Sequence, residues 1–180
     1  MHEFIPYGRQ NIDEEDIKAV TEALRSDWIT QGPRVEEFET RVAEYCGARY
    51  AVAFNSGTSA LHAAMYAAGI ESGDEVITTP LTFVATANAA LYVGARPVFV
   101  DIDENTYCID IEGIEEVIAS RTRAIVPVDY AGYPIEMKQI REIADKHNLV
   151  VIEDAAHALG AAREGAKVGT QADMTMFSFH

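Results

Sequence analysis

From Tyr50 onward, short apolar runs alternate with longer amphipathic stretches. The runs cover residues 51–54, 75–79, 97–101, 124–129, 149–153 and 173–178. They are rich in β-branched and apolar residues at successive positions, which predicts strands buried on both faces. Helical stretches separate them, starting near Gly57, Thr82, Ile111 and Glu136. Strands and helices in this alternation predict an α/β fold, a mostly parallel sheet covered by helices on both sides in three α/β/α layers. Right-handed crossovers then bring the carboxyl ends of the strands to one edge, where such folds bind ligands.

Two amphipathic helices are predicted before the sheet. In the first, Asp13 is placed to cap, Asp16 lies in the first turn, and Ile17, Val20 and Leu24 form one stripe. In the second, Val35, Phe38, Val42 and Tyr45 repeat the pattern and Gly47 supplies the stop. Between them Ser26-Asp27-Trp28-Ile29-Thr30-Gln31-Gly32-Pro33 reads either as a packed connector or as part of a binding or dimer surface. The helix over 60–68 is apolar nearly all round, so it is expected to be buried, with His62 as a hydrogen-bonded core residue.

Composition narrows the function classes. A length of 180 residues suits one domain or a large fragment of one. A formal charge of −15 argues against nucleic acid or an anionic membrane as partner, because both demand clustered cations. No stretch reaches the length of a membrane span, and residues 1–13 do not read as a signal peptide. Cys46 and Cys108 lack metal-type spacing and read as reduced thiols, so a cytoplasmic location is expected and no metal site.

The candidate chemistry falls at the strand ends. Asn55-Ser56-Gly57-Thr58-Ser59 opens a helix with free N–H groups, hydroxyls and a glycine, which suits a phosphate or an ordinary N-cap. Pro80 ends the next strand, Thr82 is placed to cap the helix that follows, and Phe83 is positioned to stack on a planar ring or to pack in the core. Val151-Ile152-Glu153-Asp154 brings a carboxylate to the end of an apolar strand, a costly burial without a charged partner. Opposite a protonated ring nitrogen Asp154 would hold a cofactor as an electron sink; alternatively it caps the next turn. His157 could bond a ring oxygen or fill that turn, and Ser178 could donate to a phosphate. Asp129 and the Tyr130-Ala131-Gly132-Tyr133-Pro134 segment read most simply as a turn.

Taken in order, Tyr7-Gly8-Arg9-Gln10, residues 28–33, Asn55-Ser56-Gly57-Thr58-Ser59-Ala60-Leu61, residues 82–88, Glu153-Asp154-Ala155-Ala156-His157 and Phe177-Ser178-Phe179-His180 resemble the DegT/DnrJ/EryC1/StrS sugar aminotransferases. These are pyridoxal-phosphate enzymes of the aspartate-aminotransferase fold, fold type I. The resemblance implies residues 1–48 as an N-terminal helical segment and 49–180 as an incomplete large PLP-binding domain, with the small C-terminal domain absent. It implies that Gly57, Thr58 and Ser178 hold the cofactor phosphate, that Phe83 stacks on the ring, that Asp154 pairs with the ring nitrogen and that His157 lies by the ring hydroxyl. Tyr7 and Thr30 would contact substrate. The implied partners are a nucleotide-linked sugar, an amino donor, usually glutamate, and a second subunit in a homodimer.

The Asp129-Tyr130-Ala131-Gly132 wording resembles the branch that aminates C4 of a UDP-linked 4-keto-6-deoxy-N-acetylhexosamine on the way to pseudaminic acid. The family's Schiff-base lysine follows the Ser-Phe-His, whereas Lys18, Lys138, Lys146 and Lys167 lie elsewhere. Lys167 falls in a Gly-flanked stretch expected to be an exposed hairpin. The chain is therefore expected to be an N-terminal portion, inactive alone. The alternatives are a sugar dehydratase of the same family, with histidine in place of the lysine, and a non-catalytic cofactor-binding module.

Overall fold

The computed structural model describes residues 10–180. Its elements, in order, are α1 (Glu14–Arg25), α2 (Pro33–Cys46), α3 (Gly57–Ala67), β1 (Glu75–Thr78), α4 (Ala85–Tyr92), β2 (Arg96–Phe99), α5 (Ile111–Val117), β3 (Thr122–Val126), α6 (Met137–His147), β4 (Val150–Asp154), β5 (Ala162–Arg163), β6 (Ala166–Lys167) and β7 (Met174–Met176). Five strands form a parallel sheet in the order β2-β1-β3-β4-β7. β5 and β6 form the expected small antiparallel hairpin.

Each strand sends alternate side chains to opposite helical layers. Val76, Ala124, Val126 and Ile152 meet Leu61 and Met65 of α3 and Ala85, Ala89 and Ala90 of α4. Ile77, Ile125 and Val151 meet Ile114 of α5 and Met137, Ile140 and Ala144 of α6. The alanines of α4 let that helix approach the sheet closely. Each buried Ile or Val contributes about 1.5–3 kcal/mol from its removal from water, so the sheet is held from both sides.

Local signals set the two leading helices. Asp13 Oδ1 accepts the N–H groups of Glu15 and Asp16, and Asp16 Oδ2 accepts that of Asp13, closing a reciprocal cap. Pro33 starts α2, and Gly47 ends it at φ 78°, a conformation that favours glycine. The stripe of α1 is present but not buried: Ile17, Val20 and Leu24 are 51, 61 and 64% exposed.

Three expectations are corrected. Residues 51–54 are not a strand, because apolar composition needs a ladder partner and no described strand runs beside them. The Ala53 N–H instead donates to Glu39 at 2.7 Å. His62 is exposed beside Tyr92, since α3 buries one face only, through Leu61 and Met65. Thr82 does not cap α4, which starts three residues later without a side-chain cap; its hydroxyl bonds that of Thr86 instead.

Candidate active site

A cleft of about 1170 Å³ opens at the carboxyl edge of the sheet, between the 50–58 segment and β7. Gly57, Thr58, Phe83, Asp154, His157 and Ser178, spread over more than a hundred residues of sequence, all line it. Thr30 lies outside that lining, exposed in the loop between α1 and α2, and Tyr7 lies outside the described residues.

Gly57 is the first residue of α3, after Ser56, whose hydroxyl accepts the Ser59 N–H at 3.1 Å. A Cβ at position 57 would sit 2.9 Å from Met176 Sδ and 3.6 Å from Ser178 Cβ. A side chain there would have to push the Met176 thioether aside, because the start of α3 lies directly against the end of β7. That contact sets the free N–H groups of a helix start beside the Ser178 hydroxyl, a donor set suited to a phosphate. Gly57→Val should destabilise the protein by about 1–3 kcal/mol through overpacking and weaken phosphate binding. Urea denaturation and a phosphate-ester titration check the two effects separately.

Asp154 ends β4 and is only 4% exposed. Its Oδ2 accepts the Thr86 hydroxyl at 2.7 Å and its Oδ1 the Ala156 N–H at 3.3 Å. Asp154 therefore braces the next turn and also lines the cleft. Burial pushes its carboxyl above the ordinary value, opposed by the Thr86 and Ala156 hydrogen bonds and the charge of nearby His157. Among the described residues no Lys or Arg pairs with it. A buried carboxylate in a cleft lining with no Lys or Arg partner fits a cationic ring nitrogen.

Phe83 is 73% exposed at the mouth, so it is not a core residue. His157 is exposed in the turn after β4. Ser178 lies two residues beyond β7, half-buried. Thr86 was not singled out from the sequence. Its spacing from Thr82, one helical turn, was visible, but the bond to Asp154 spans 68 positions. Asp129 is more than a turn residue: it is 1% exposed, and its N–H donates to the Asp154 carbonyl at 3.0 Å. The hairpin Lys167, expected to be exposed, is exposed but not idle. Its Nζ donates to the Tyr45 carbonyl, capping α2.

Residues 10–180 match the DegT/DnrJ/EryC1/StrS aminotransferase family. The chain belongs to this family. It is similar to the spore coat polysaccharide biosynthesis protein SpsC of Bacillus subtilis, 48% identical over 98% of this chain and 46% of that protein. It is also similar to the UDP-4-amino-4-deoxy-L-arabinose–oxoglutarate aminotransferase of Shewanella sediminis, 42% identical over 99% of this chain and 46% of that one. Among solved structures, Helicobacter pylori PseC, an aminotransferase of pseudoaminic acid biosynthesis, superposes with a TM-score of 0.91 at 44% identity, over 97% of this chain and 47% of its own. The PLP form of the putative sugar aminotransferase Spr1654 from Streptococcus pneumoniae superposes at 0.93 with 34% identity, over 98% and 49%. The fold is that of the large domain of fold type I aminotransferases. The chain spans about half the length of the curated relatives it matches. No described helix is long and apolar enough to cross a membrane.

Proposed function

We propose that this DegT/DnrJ/EryC1/StrS family member serves a pyridoxal-phosphate-dependent aminotransferase. The reaction moves an amino group from glutamate to a keto carbon, C4, of a UDP-linked deoxysugar. The observation that carries the reading is Asp154, a buried carboxylate that no described Lys or Arg pairs with, in the lining of a cleft that also presents a helix start and a serine. Bound pyridoxal phosphate supplies an electron sink for the carbon that exchanges its nitrogen.

The residues of the chain do the rest. The N-terminal N–H groups of α3, with Thr58 and Ser178, hold the phosphate, and Gly57 allows the two walls to meet. Asp154 keeps a proton on the ring nitrogen, and the Thr86 hydroxyl keeps Asp154 turned toward it. Phe83, free at the mouth, would cover one face of the ring, and His157, in the same lining, would lie beside its hydroxyl. The C4 position and the UDP carrier rest on the named activity of the Shewanella relative, and the 6-deoxy-N-acetylhexosamine on the PseC likeness and the Asp129-Tyr130-Ala131-Gly132 wording.

A second subunit belongs to the same proposal. The exposed stripe of α1, with Trp28 and Ile29 at 63 and 71% exposure, suits burial against a partner subunit that brings Tyr7 and Thr30 to the substrate. The two buried free cysteines fit a cytoplasmic protein.

The test is an incubation of the full protein with pyridoxal phosphate, glutamate and a UDP-4-keto-6-deoxy-N-acetylhexosamine. Equal amounts of 2-oxoglutarate and 4-amino sugar are expected. Loss of water from the sugar without 2-oxoglutarate would overturn the reading in favour of dehydration.

A further inference from the structure

Behind Asp154, on the opposite side of β4, lie two more buried carboxylates. Asp129 is 1% exposed and Glu153 is 3% exposed. Successive residues of a strand point to opposite faces, so Glu153 and Asp154 diverge, one toward the α5–α6 layer and one toward the cleft. Asp129 follows β3, beside the end of β4, and joins Glu153 on its side.

The polar partners of this pair can be counted. Asp129 Oδ1 accepts the Ile135 N–H at 3.0 Å. Glu153 Oε2 accepts the Thr175 hydroxyl at 2.8 Å, and the Gly169 N–H also points to this carboxylate. Asp129 Oδ2, fully buried, accepts from no donor among the described residues. Its neighbour is the carboxyl of Glu153, and two ionised carboxylates cannot hydrogen-bond each other.

The remaining groups around this corner give no cation. Asp154 adds a third negative charge, and Cys108 faces Asp129 as a buried thiol. Arg163, whose charge reaches Cys108, is engaged by Glu136, Tyr133 and the Pro134 carbonyl. A proton on one of the two carboxyls turns it into a donor and closes the geometry with the described residues alone.

We propose that Asp129 and Glu153 share a single proton, carried on Asp129 Oδ2 and donated to Glu153, and that this carboxyl–carboxylate pair is a positioning device for Asp154. With one proton the pair carries one negative charge rather than two. Asp154 can then stay ionised toward the cleft while its main chain is held by the Asp129 N–H. Burial and the charge of Glu153 push the Asp129 carboxyl up to about 7, which agrees with that placement of the proton. Only the final step, what an ionised Asp154 is for, rests on the cofactor reading.

The experiment is an infrared pH titration of the full protein without added pyridoxal phosphate, so it stands apart from the fate of that reading. Between about pH 5 and about pH 9, the wild-type protein should lose a protonated-carboxyl band with a midpoint close to 7. D129N should lack the band, because its side-chain amide donates to Glu153 where the acid did. E153Q should also lack it at neutral pH, because the new amide donates to an ionised Asp129. Melting curves add the structural control: D129N should melt near wild type and D129A well below it. A wild-type protein with no such band near neutrality, or a band that survives both D129N and E153Q, would overturn the proposal.

Discussion

Replacing Asp154 with asparagine is expected to lower turnover by roughly 10²–10³-fold, the loss seen when one preorganised electrostatic contact is removed from a reacting group. The change is small in shape. Asparagine Oδ1 can still accept the Thr86 hydroxyl that now reaches Asp154 Oδ2 at 2.7 Å, and the strand end stays packed. What is lost is the acceptor for the Ala156 N–H, a weak bond at 3.3 Å, and above all the charge that would hold a proton on the ring nitrogen. The deficit should therefore appear in the rate with pyridoxal phosphate saturating, together with a weaker cofactor affinity. Steady-state kinetics and a cofactor titration measure the two. Wild-type turnover in D154N would remove the basis of the proposed function.

The second large effect is on stability against pH. Asp129, Glu153 and Asp154 are each raised by burial, Asp129 from 3.8 to about 7. A carboxyl that holds its proton more tightly when folded makes the folded state bind more protons than the unfolded chain between the two values. Its contribution is complete below the unfolded value and is lost as pH rises through the folded one. For Asp129 the whole displacement is on the order of 4 kcal/mol, of which roughly 2–3 kcal/mol falls between pH 5 and pH 8. Glu37, Asp103 and Glu115 are lowered and act in the opposite sense, but they lose their contribution only as pH falls into the acid range. Urea denaturation should therefore show stability declining from about pH 5 to about pH 8. In D129N that slope should flatten, because the residue that changes charge is gone. A wild-type protein that gains stability over this interval would contradict the direction assigned to all three carboxyls.

Both effects arise at one strand end, and that end was only half legible in sequence. Asp154 stood out because a carboxylate closing an apolar strand is costly unless something answers it. Glu153 is adjacent to it in sequence, yet its partner Asp129 lies 24 residues earlier and looked like turn chemistry before Gly132 and Pro134. Parallel pairing of β3 and β4 brings the two strand ends together. Thr86 was hidden for the same reason: nothing local ties a helix residue after β1 to the end of β4.

Local interactions decided what the sequence by itself determined: the reciprocal cap at Asp13, the stop at Gly47, the alternation of strand and helix, and the strand-end motifs that mark the family. These depend on neighbours within a turn or on a repeating period, so they survive without knowledge of the fold. The tertiary structure alone decided three other matters. Residues 51–54 form no strand because a strand needs a partner. His62 is exposed because α3 buries one side only. Asp129 and Glu153 meet because a parallel sheet aligns residues far apart in sequence. In each case the deciding energy is a contact between distant segments, a ladder bond, a buried face or a shared proton, and only the folded chain brings its two halves together.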